Sequence, residues 1–352
     1  MRRYAGTGAT LAPPKKSSSP DCIATITTST HPGERIGSYY IERLVNRSGT
    51  ASIFQGTDLR TGRPVAIKIL HPEIVRNARS LERFHREAKI GRKFNHPGVI
   101  KVLPQEEPAQ LYIVSEWIDG RSLRQILDVE GKVAPERAVS IARGVCDVLA
   151  YIHGKEIVHC DLKPENIIVD ETGHVTLIDF GIAALGAGGL LTFANPTPTM
   201  GTADYVSPEQ VKGRRVDARS DIYALGVVLY EMLTGVVPFH CVSPLAGMNQ
   251  RLVSDPIPPS DLAPEISPRL QEIVLRALKR DRKARCGSAN EFARALECSG
   301  LFGTEASPAR ASTVPTMEGL PLPNRMGLFA FFLASMIPIA IIFELLVLVA
   351  RL

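Results

Sequence analysis

The sequence predicts an α+β fold in two lobes, a β-rich N-lobe followed by an α-rich C-lobe, with one transmembrane helix at its C-terminal end. Three observations carry this. Short β-branched and alternating apolar runs, separated by Gly and Pro turn signals, occupy the chain up to Glu116. After Gly120 the apolar period becomes helical. From Gly327 to Ala350, 24 consecutive residues carry a single charge, Glu344, where roughly 20 apolar residues suffice to cross a bilayer.

In chain order, residues 1–38 read as a disordered tail. Pro13-Pro14, Ser17-Ser18-Ser19-Pro20 and the Thr-rich run Thr25 to Thr30 leave it little to bury. Arg2 and Arg3 open it without an apolar stretch behind them, so a cleaved signal peptide is not expected. Strands are expected over Tyr39 to Arg43, Ser52 to Asp58 and Val65 to Leu70, with Thr61-Gly62-Arg63-Pro64 as a hairpin turn. A helix is expected from about Ser80 to Phe94, then strands near Val99 to Leu103 and Leu111 to Glu116. Helical periods follow at Leu123 to Leu127, Pro135 to His153, Ser220 to Thr234, Pro268 to Lys279 and Ala289 to Leu296. The folded domain thus spans 39–297. Gly300, Gly303, Pro308, Pro315, Pro321 and Pro323 mark 298–326 as a linker.

For 327–350, Glu344 and Pro338 are the objections to membrane insertion. Fifteen Leu, Ile, Phe and Val residues contribute roughly −0.3 to −0.6 kcal/mol each, against about +2.5 to +3.5 for a central carboxylate. Insertion wins, and a transmembrane helix accommodates a proline kink.

The remaining composition excludes more than it identifies. An apolar share of 45% and a charged share of 22% are ordinary for globular chains, which argues against a polytopic membrane protein. The net charge of +5 arises from 41 basic and 36 acidic residues without a long basic run, so no nucleic-acid partner is expected. Six cysteines lie far apart with no C-x-x-C pair, pointing to a reducing compartment and no structural metal.

The chemistry is concentrated in His159-Cys160-Asp161-Leu162-Lys163-Pro164-Glu165-Asn166, with Asp179-Phe180-Gly181 beginning thirteen residues after Asn166. These strings resemble the catalytic loop and magnesium-binding D-F-G of protein kinases. The resemblance covers nearly all of 39–297 and is close to bacterial Hanks-type serine/threonine kinases carrying one transmembrane helix. It implies Asp161 as the group that accepts the acceptor hydroxyl's proton and Lys163 as stabiliser of the transferring phosphoryl group. Asn166 and Asp179 would hold Mg²⁺, with Mn²⁺ as a substitute. Lys68, in Val65-Ala66-Ile67-Lys68, would bind the α and β phosphates of ATP, with Glu87 as its ion-pair partner.

By the same resemblance, Leu111 to Ile118 forms the last strand and hinge, where backbone groups of Glu116 and Ile118 meet the adenine edge. Val45, Ile53, Ala66 and Ile168 sandwich the ring, and Ser115 gates the space behind it. Gly201 to Glu209 resembles the end of an activation segment, with Glu209 paired to Arg285. Asp221 would hold the catalytic-loop backbone. That peptide-binding segment, with Thr202 and Lys163 near the acceptor, implies serine or threonine of a protein as substrate.

Two features depart from the family pattern. Its three loop glycines fall on Asn46, Ser48 and Ala51, leaving Gly49 alone in Asn46-Arg47-Ser48-Gly49-Thr50-Ala51 and predicting weaker or slower ATP use. Cys160 replaces the usual Arg and offers no charged fork to a phosphorylated Thr192, Thr197 or Thr199. A catalytically impaired, membrane-tethered scaffold and a small-molecule kinase therefore remain open readings. Because ATP is cytosolic, the catalytic domain is expected on the cytoplasmic side of the cell membrane, in a single-pass arrangement, with a second copy of the chain as a candidate partner.

Overall fold

The computed structural model describes residues 30–104, 111–180, 184–185, 202–239 and 243–300, all within one compact unit, Met1–Thr304. Most of the tail, the linker beyond residue 300, the apolar segment 327–350, and Thr192, Thr197 and Thr199 lie outside the described residues. Among the described residues no helix is long and apolar enough to cross a membrane.

Strands β1 (Arg35–Ile36), β2 (Tyr39–Arg47), β3 (Ala51–Asp58), β4 (Pro64–Leu70) and β5 (Tyr112–Glu116) form one antiparallel sheet in sequential order. The β3–β4 hairpin closes where the sequence places its turn signal. Asp58 N donates to Arg63 O at 2.9 Å, and Gly62 takes a left-handed φ of 70° that a side chain would resist. Alternation along the strands sorts the sheet into two faces. Phe54, Val65, Ile67, Ile69 and Val114 join Ile41 and Tyr112 in one buried cluster. On the other face Ala51 and Leu70 pack with Ile113 and with Phe84 of helix α2 (Ala78–Gly91), which follows the short α1 (Pro72–Val75).

The segment expected as a strand at Val99 to Leu103 forms no ladder. Val99 bridges Leu177 in parallel, whereas Val102 bridges Ser115 antiparallel. Its alternating residues serve two different sheets, so it ties the lobes together.

The second lobe opens with β6 (Arg121–Ser122) and α3 (Leu123–Glu130). Ser122 and Gln125 form a capping box, with bonds of 3.2 and 2.9 Å satisfying two orphan amides. Helix α4 (Pro135–His153) begins on proline, whose missing N–H costs nothing at a helix start. Strands β7 (Ile157–Val158), β8 (Ile167–Val169) and β9 (Val175–Leu177) follow, with β6, β8 and β9 making a small antiparallel sheet. Beyond β10 (Ala184–Leu185) and α5 (Pro208–Val211) comes α6 (Ala218–Thr234), buried on every side from Ser220 to Leu233, as a helix apolar all round must be. Gly226 on α6 is required by close packing, because a Cβ there would stand 2.7 Å from the Ala277 Cβ. Helices α7 (Pro244–Val253), α8 (Pro259–Leu262), α9 (Pro268–Ala277) and α10 (Ala289–Glu297) complete the lobe. Its core joins residues of α4, α6, α9 and α10 with Leu162, Ile167 and Phe180, so the catalytic-loop strings rest directly on it.

Candidate active site

The upper half of the site is built by the face of the sheet that looks away from the Ile41 cluster. Strand register places Ile53 opposite Lys68, Gln55 opposite Ala66, and Ser115 opposite Ala66. Opposed residues share a face, so Ile53, Ala66, Lys68 and Ser115 line one surface. From it Lys68 Nζ donates to both Glu87 carboxylate oxygens at 2.9 Å and stands 3.1 Å from Asp179 Oδ2. Burial alone would lower the Lys68 ammonium, but Asp179 and Glu87 override it and hold it above the usual lysine range. A permanently cationic group at the junction of the two lobes is the result.

The loop between β2 and β3 is closed by a side chain. Ser48 N donates to Ala51 O at 2.9 Å, while Ser48 Oγ accepts from Thr50 N at 3.3 Å and Ala51 N at 3.1 Å. Serine thus supplies by hydrogen bonding a tight turn that glycine would allow by conformational freedom. Val45, Asn46, Ser48 and Gly49 are exposed, with Asn46 opposite Ile53. Ala51 is buried in the sheet's second cluster, so its side chain belongs to the core. At the sheet's exit Glu116 N donates to Lys101 O, and its carboxylate accepts from Lys101 N, both at 3.0 Å. Glu116, Ile118 and Ile168 are half-buried. A Cβ at Gly120 would meet Ile168 Cγ2 at 2.8 Å, so the connection between the lobes passes directly over Ile168.

The lower half hangs from Asp221 at the start of α6. Its Oδ1 accepts from Cys160 N at 2.9 Å, and its Oδ2 from His159 N and His153 Nε2, both at 2.8 Å. Burial opposes the charge on Asp221, yet the His153 bond, the nearby His159 and the Cys160 amide hold its carboxyl below the usual range. Cys160 is thereby fixed at a φ of 66°, and Asp179 stands at 63°, left-handed values that ordinary residues adopt reluctantly. The Cys160 thiol packs in a small buried cluster with Val158 and Val216 and donates to Val158 O at 3.5 Å.

Asp161 then faces Lys163 Nζ at 2.9 Å, while Asn166 Nδ2 donates to Asp161 O at 2.8 Å and approaches Asp161 Oδ2 at 3.4 Å. Burial raises the Asp161 carboxyl above its ordinary value, with Lys163 pulling against it. Ile178 N donates to Asn166 O at 3.0 Å, bringing the strand that leads to Asp179 beside Asn166. Phe180, buried, stacks between His159 and Phe94, with ring centroids 4.9 Å apart on each side. An aromatic ladder therefore joins the segment after α2 to the catalytic loop.

Around this centre Glu209 Oε1 and Oε2 meet Arg285 at 2.8 and 2.9 Å, and Ser220 Oγ donates to Glu209 at 2.7 Å. Arg285 also donates to the carbonyls of Lys279 and Arg219, at 2.7 and 2.9 Å. Sequence reasoning missed three links. Gln210 Nε2 donates to Cys160 O at 2.8 Å, tying the end of the 202–211 segment to the catalytic loop. Tyr205 Oη donates to Glu231 Oε2 at 2.6 Å and accepts from Arg124 Nη2 at 2.6 Å; Arg124 also meets Glu231 at 2.9 Å and Glu165 at 3.2 Å. Arg251 of α7, fully buried, donates to the carbonyls of Ala203 at 2.5 Å and Val206 at 2.7 Å. A carboxylate at Glu231, inside the apolar run of α6, was the one visible signal for these.

The oxygen donors suit a hard divalent cation. Magnesium is usually held by one or two protein oxygens with substrate phosphates and water, and Asp179 and Asn166 provide a carboxylate and an amide oxygen at the site's centre. Among the described residues no group of three or more His, Cys, Asp or Glu forms a closed metal cage.

The family profile "Protein kinase domain" matches residues 39–296. A probable serine/threonine-protein kinase of Streptomyces coelicolor is 40% identical over 262 residues, covering 73% of this chain and 39% of the relative. The serine/threonine-protein kinase PknB of Mycobacterium tuberculosis is 38% identical over 272 residues, 76% of this chain and 43% of the relative. A probable serine/threonine-protein kinase of Corynebacterium efficiens is 37% identical over 299 residues, 82% of this chain and 45% of the relative. The matched part is thus less than half the length of these curated relatives.

Proposed function

The chain belongs to the protein kinase family, and from that premise we propose that it transfers the γ-phosphoryl group of ATP to serine and threonine side chains of proteins. The observation that carries the proposal is the convergence of Lys68, Glu87 and Asp179 within 3.1 Å across the lobes, with Asp179 also acting on an Asp161 that is paired to Lys163. Phosphoryl transfer asks a protein mainly for positioning and charge. In this reading Lys68 binds the α and β phosphates, held in place by Glu87. Asp161, its carboxyl raised by burial, orients the acceptor hydroxyl and accepts its proton. Lys163 offsets negative charge on the transferring group. Asp179 and Asn166 would hold Mg²⁺, or Mn²⁺, which when bound supplies Lewis-acid charge to the phosphates.

For the adenine, Ala66, Ile53, Val45 and Ile168 offer apolar surface and the backbone at Glu116 and Ile118 offers its polar edge. The loop of Asn46, Ser48, Gly49 and Ala51 covers the phosphates. Because Ser48 Oγ already engages the amides of Thr50 and Ala51, those amides reach phosphate only by exchanging partners, and ATP binding is weaker than an open glycine loop would give. The segment 202–211, anchored through Tyr205, Glu209 and Gln210, supports a peptide acceptor over a small molecule. The apolar run 327–350, with its single charge, supports anchoring at the cell membrane with the catalytic domain on the cytoplasmic side.

Acceptor class is the test. The full chain is incubated with γ-labelled ATP, Mg²⁺ and a generic unfolded protein, and the labelled protein is hydrolysed to its amino acids. Label in phosphoserine and phosphothreonine supports the proposal. Label confined to phosphotyrosine, or none in protein despite ATP turnover, overturns it.

A further inference from the structure

A cavity of about 640 Å³ lies on the second lobe, outside the nucleotide site, between the end of the 202–211 segment, α7 and the turn before Arg285. Five of its lining side chains are basic: Lys212, Arg214, Arg215, Arg280 and Arg282. Lys212, Arg214 and Arg215 are exposed, and none forms an ion pair with an acidic side chain among the described residues. Arg280 and Arg282 pair with Asp255 at 2.9 Å and Asp217 at 3.2 Å, but these pairs stand largely in solvent, where such contacts contribute little. Arg282 also donates to Arg215 O at 3.0 Å, so a stronger anion would be bound by exchanging these exposed partners.

The two acidic residues in the wall offset little of this charge. Glu209 spends both oxygens on Arg285, and Asp281 Oδ1 accepts the Lys283 amide at 2.9 Å. What remains is a concave wall of five cations against the one uncompensated carboxylate of Asp281, a positive excess that concentrates anions. Arginine forks match the tetrahedral oxygens of a phosphate two at a time.

We propose that this cavity binds a phosphorylated serine or threonine of a peptide segment, docking a substrate that already carries one phosphate. The choice of ligand rests on the kinase reading above, since phosphoserine and phosphothreonine are the products of that reaction. Position supports it as well. Pro208 and Glu209 in the wall end the segment that faces the acceptor, and Leu252 follows Arg251, whose guanidinium holds the carbonyls of Ala203 and Val206. A peptide seated here rests on the two elements that shape the acceptor segment. A second cavity of about 420 Å³ shares Arg215 and Arg282 and continues the groove past Val216 and Val158, giving room for residues flanking the phosphate. Neither cavity is lined by an aromatic ring of Phe, Tyr or Trp on which bases would stack. A flat lipid surface would not fill a concavity of this volume.

The test measures binding alone. Full-length protein, without ATP or divalent metal, is titrated into a labelled peptide carrying one phosphoserine among neutral residues, and into the same peptide with serine. The phosphopeptide should bind at least about tenfold more tightly, with affinity falling as salt rises. The double variant Arg214→Gln/Arg215→Gln should lose that preference, as should Lys212→Gln/Arg214→Gln, which stands in if the first melts below the parent. Equal binding of the two peptides, or variants that keep the preference, would overturn the proposal. So would phosphatidylserine vesicles that bind the parent and not the variants while the phosphopeptide binds neither, which would make the face a membrane contact. Because no phosphate is transferred in this assay, its failure and a failure of the kinase reading are told apart.

Discussion

Asp221→Asn keeps the shape of the side chain while removing its charge and one of its acceptors. The parent carboxylate takes three hydrogen bonds, from Cys160 N at 2.9 Å and from His159 N and His153 Nε2 at 2.8 Å, in a side chain that is 1% exposed. An amide presents a single oxygen. If that oxygen serves His159 and His153, the amide nitrogen opposes the Cys160 N–H, donor against donor; the other rotamer sets it against the His159 N–H and leaves the His153 bond to the ring's tautomer. The cheaper choice loses one charge-assisted bond, about 1.5–3 kcal/mol, and weakens two others from charged to neutral, for a total of about 3–5 kcal/mol. Function should fall further than stability. Cys160 stands at a φ of 66° with its amide anchored on Asp221, and a displacement of about 1 Å at the adjoining Asp161 costs on the order of a hundredfold in rate. Urea unfolding of the full chain followed by circular dichroism, together with kcat at saturating ATP, checks both numbers. A stability loss below about 1 kcal/mol with kcat within about twofold of the parent would refute the claim that Asp221 suspends the catalytic loop.

The buried Glu209 carboxyl is held below its usual range, burial opposing and Arg285 and Ser220 prevailing. Its stabilising contribution is therefore present above the unfolded pKa of 4.5 and lost as pH falls through the depressed folded value. Glu209→Gln should be less stable than the parent by about 3–5 kcal/mol at pH 7, as expected when one partner of a buried pair is removed. The two proteins should converge in urea titrations as pH drops below 4.5; a constant difference would contradict the pairing. For Asp161, raised by burial against Lys163, the active base form is lost on acidification, so the acid limb of kcat/KM should lie above the ordinary 3.8. A limb at or below that value would contradict the burial argument. Ser115 shares a face with Ala66, and Ser115→Met should weaken bulky ATP-competitive inhibitors by about tenfold or more while ATP is affected less; unchanged inhibitor affinity would remove Ser115 from the pocket.

What was legible in the chain was local or periodic. The string His159 to Asn166 and the Asp179-Phe180-Gly181 triplet are contiguous, so their chemistry survives reading in one dimension. The β3–β4 hairpin and α4 follow from Gly62, Pro135 and the apolar period. Other features depend on contacts between distant residues. Val99 and Val102 look like one strand because both are apolar and β-branched, yet each pairs in a different sheet. Ala51 aligns with a loop glycine, but its Cβ fills the space beneath α2. The Gln210–Cys160 bond spans fifty residues, and no local pattern marks it. Arg251 illustrates the limit most plainly: in sequence it is one cation on an amphipathic helix, and only packing shows that its guanidinium holds two carbonyls of the 202–211 segment.

In the proposed reaction phosphate moves from ATP directly to a protein hydroxyl whose proton Asp161 accepts. The most direct measurement compares the full-length parent with Asp161→Asn for Mg²⁺-dependent ATP binding and, in the same preparations, for transfer of labelled phosphate to protein. Binding should be of similar strength in both, and transfer at least about a hundredfold slower in the variant. Nucleotide bound by the parent without any transfer, or equal transfer by parent and variant, would contradict it.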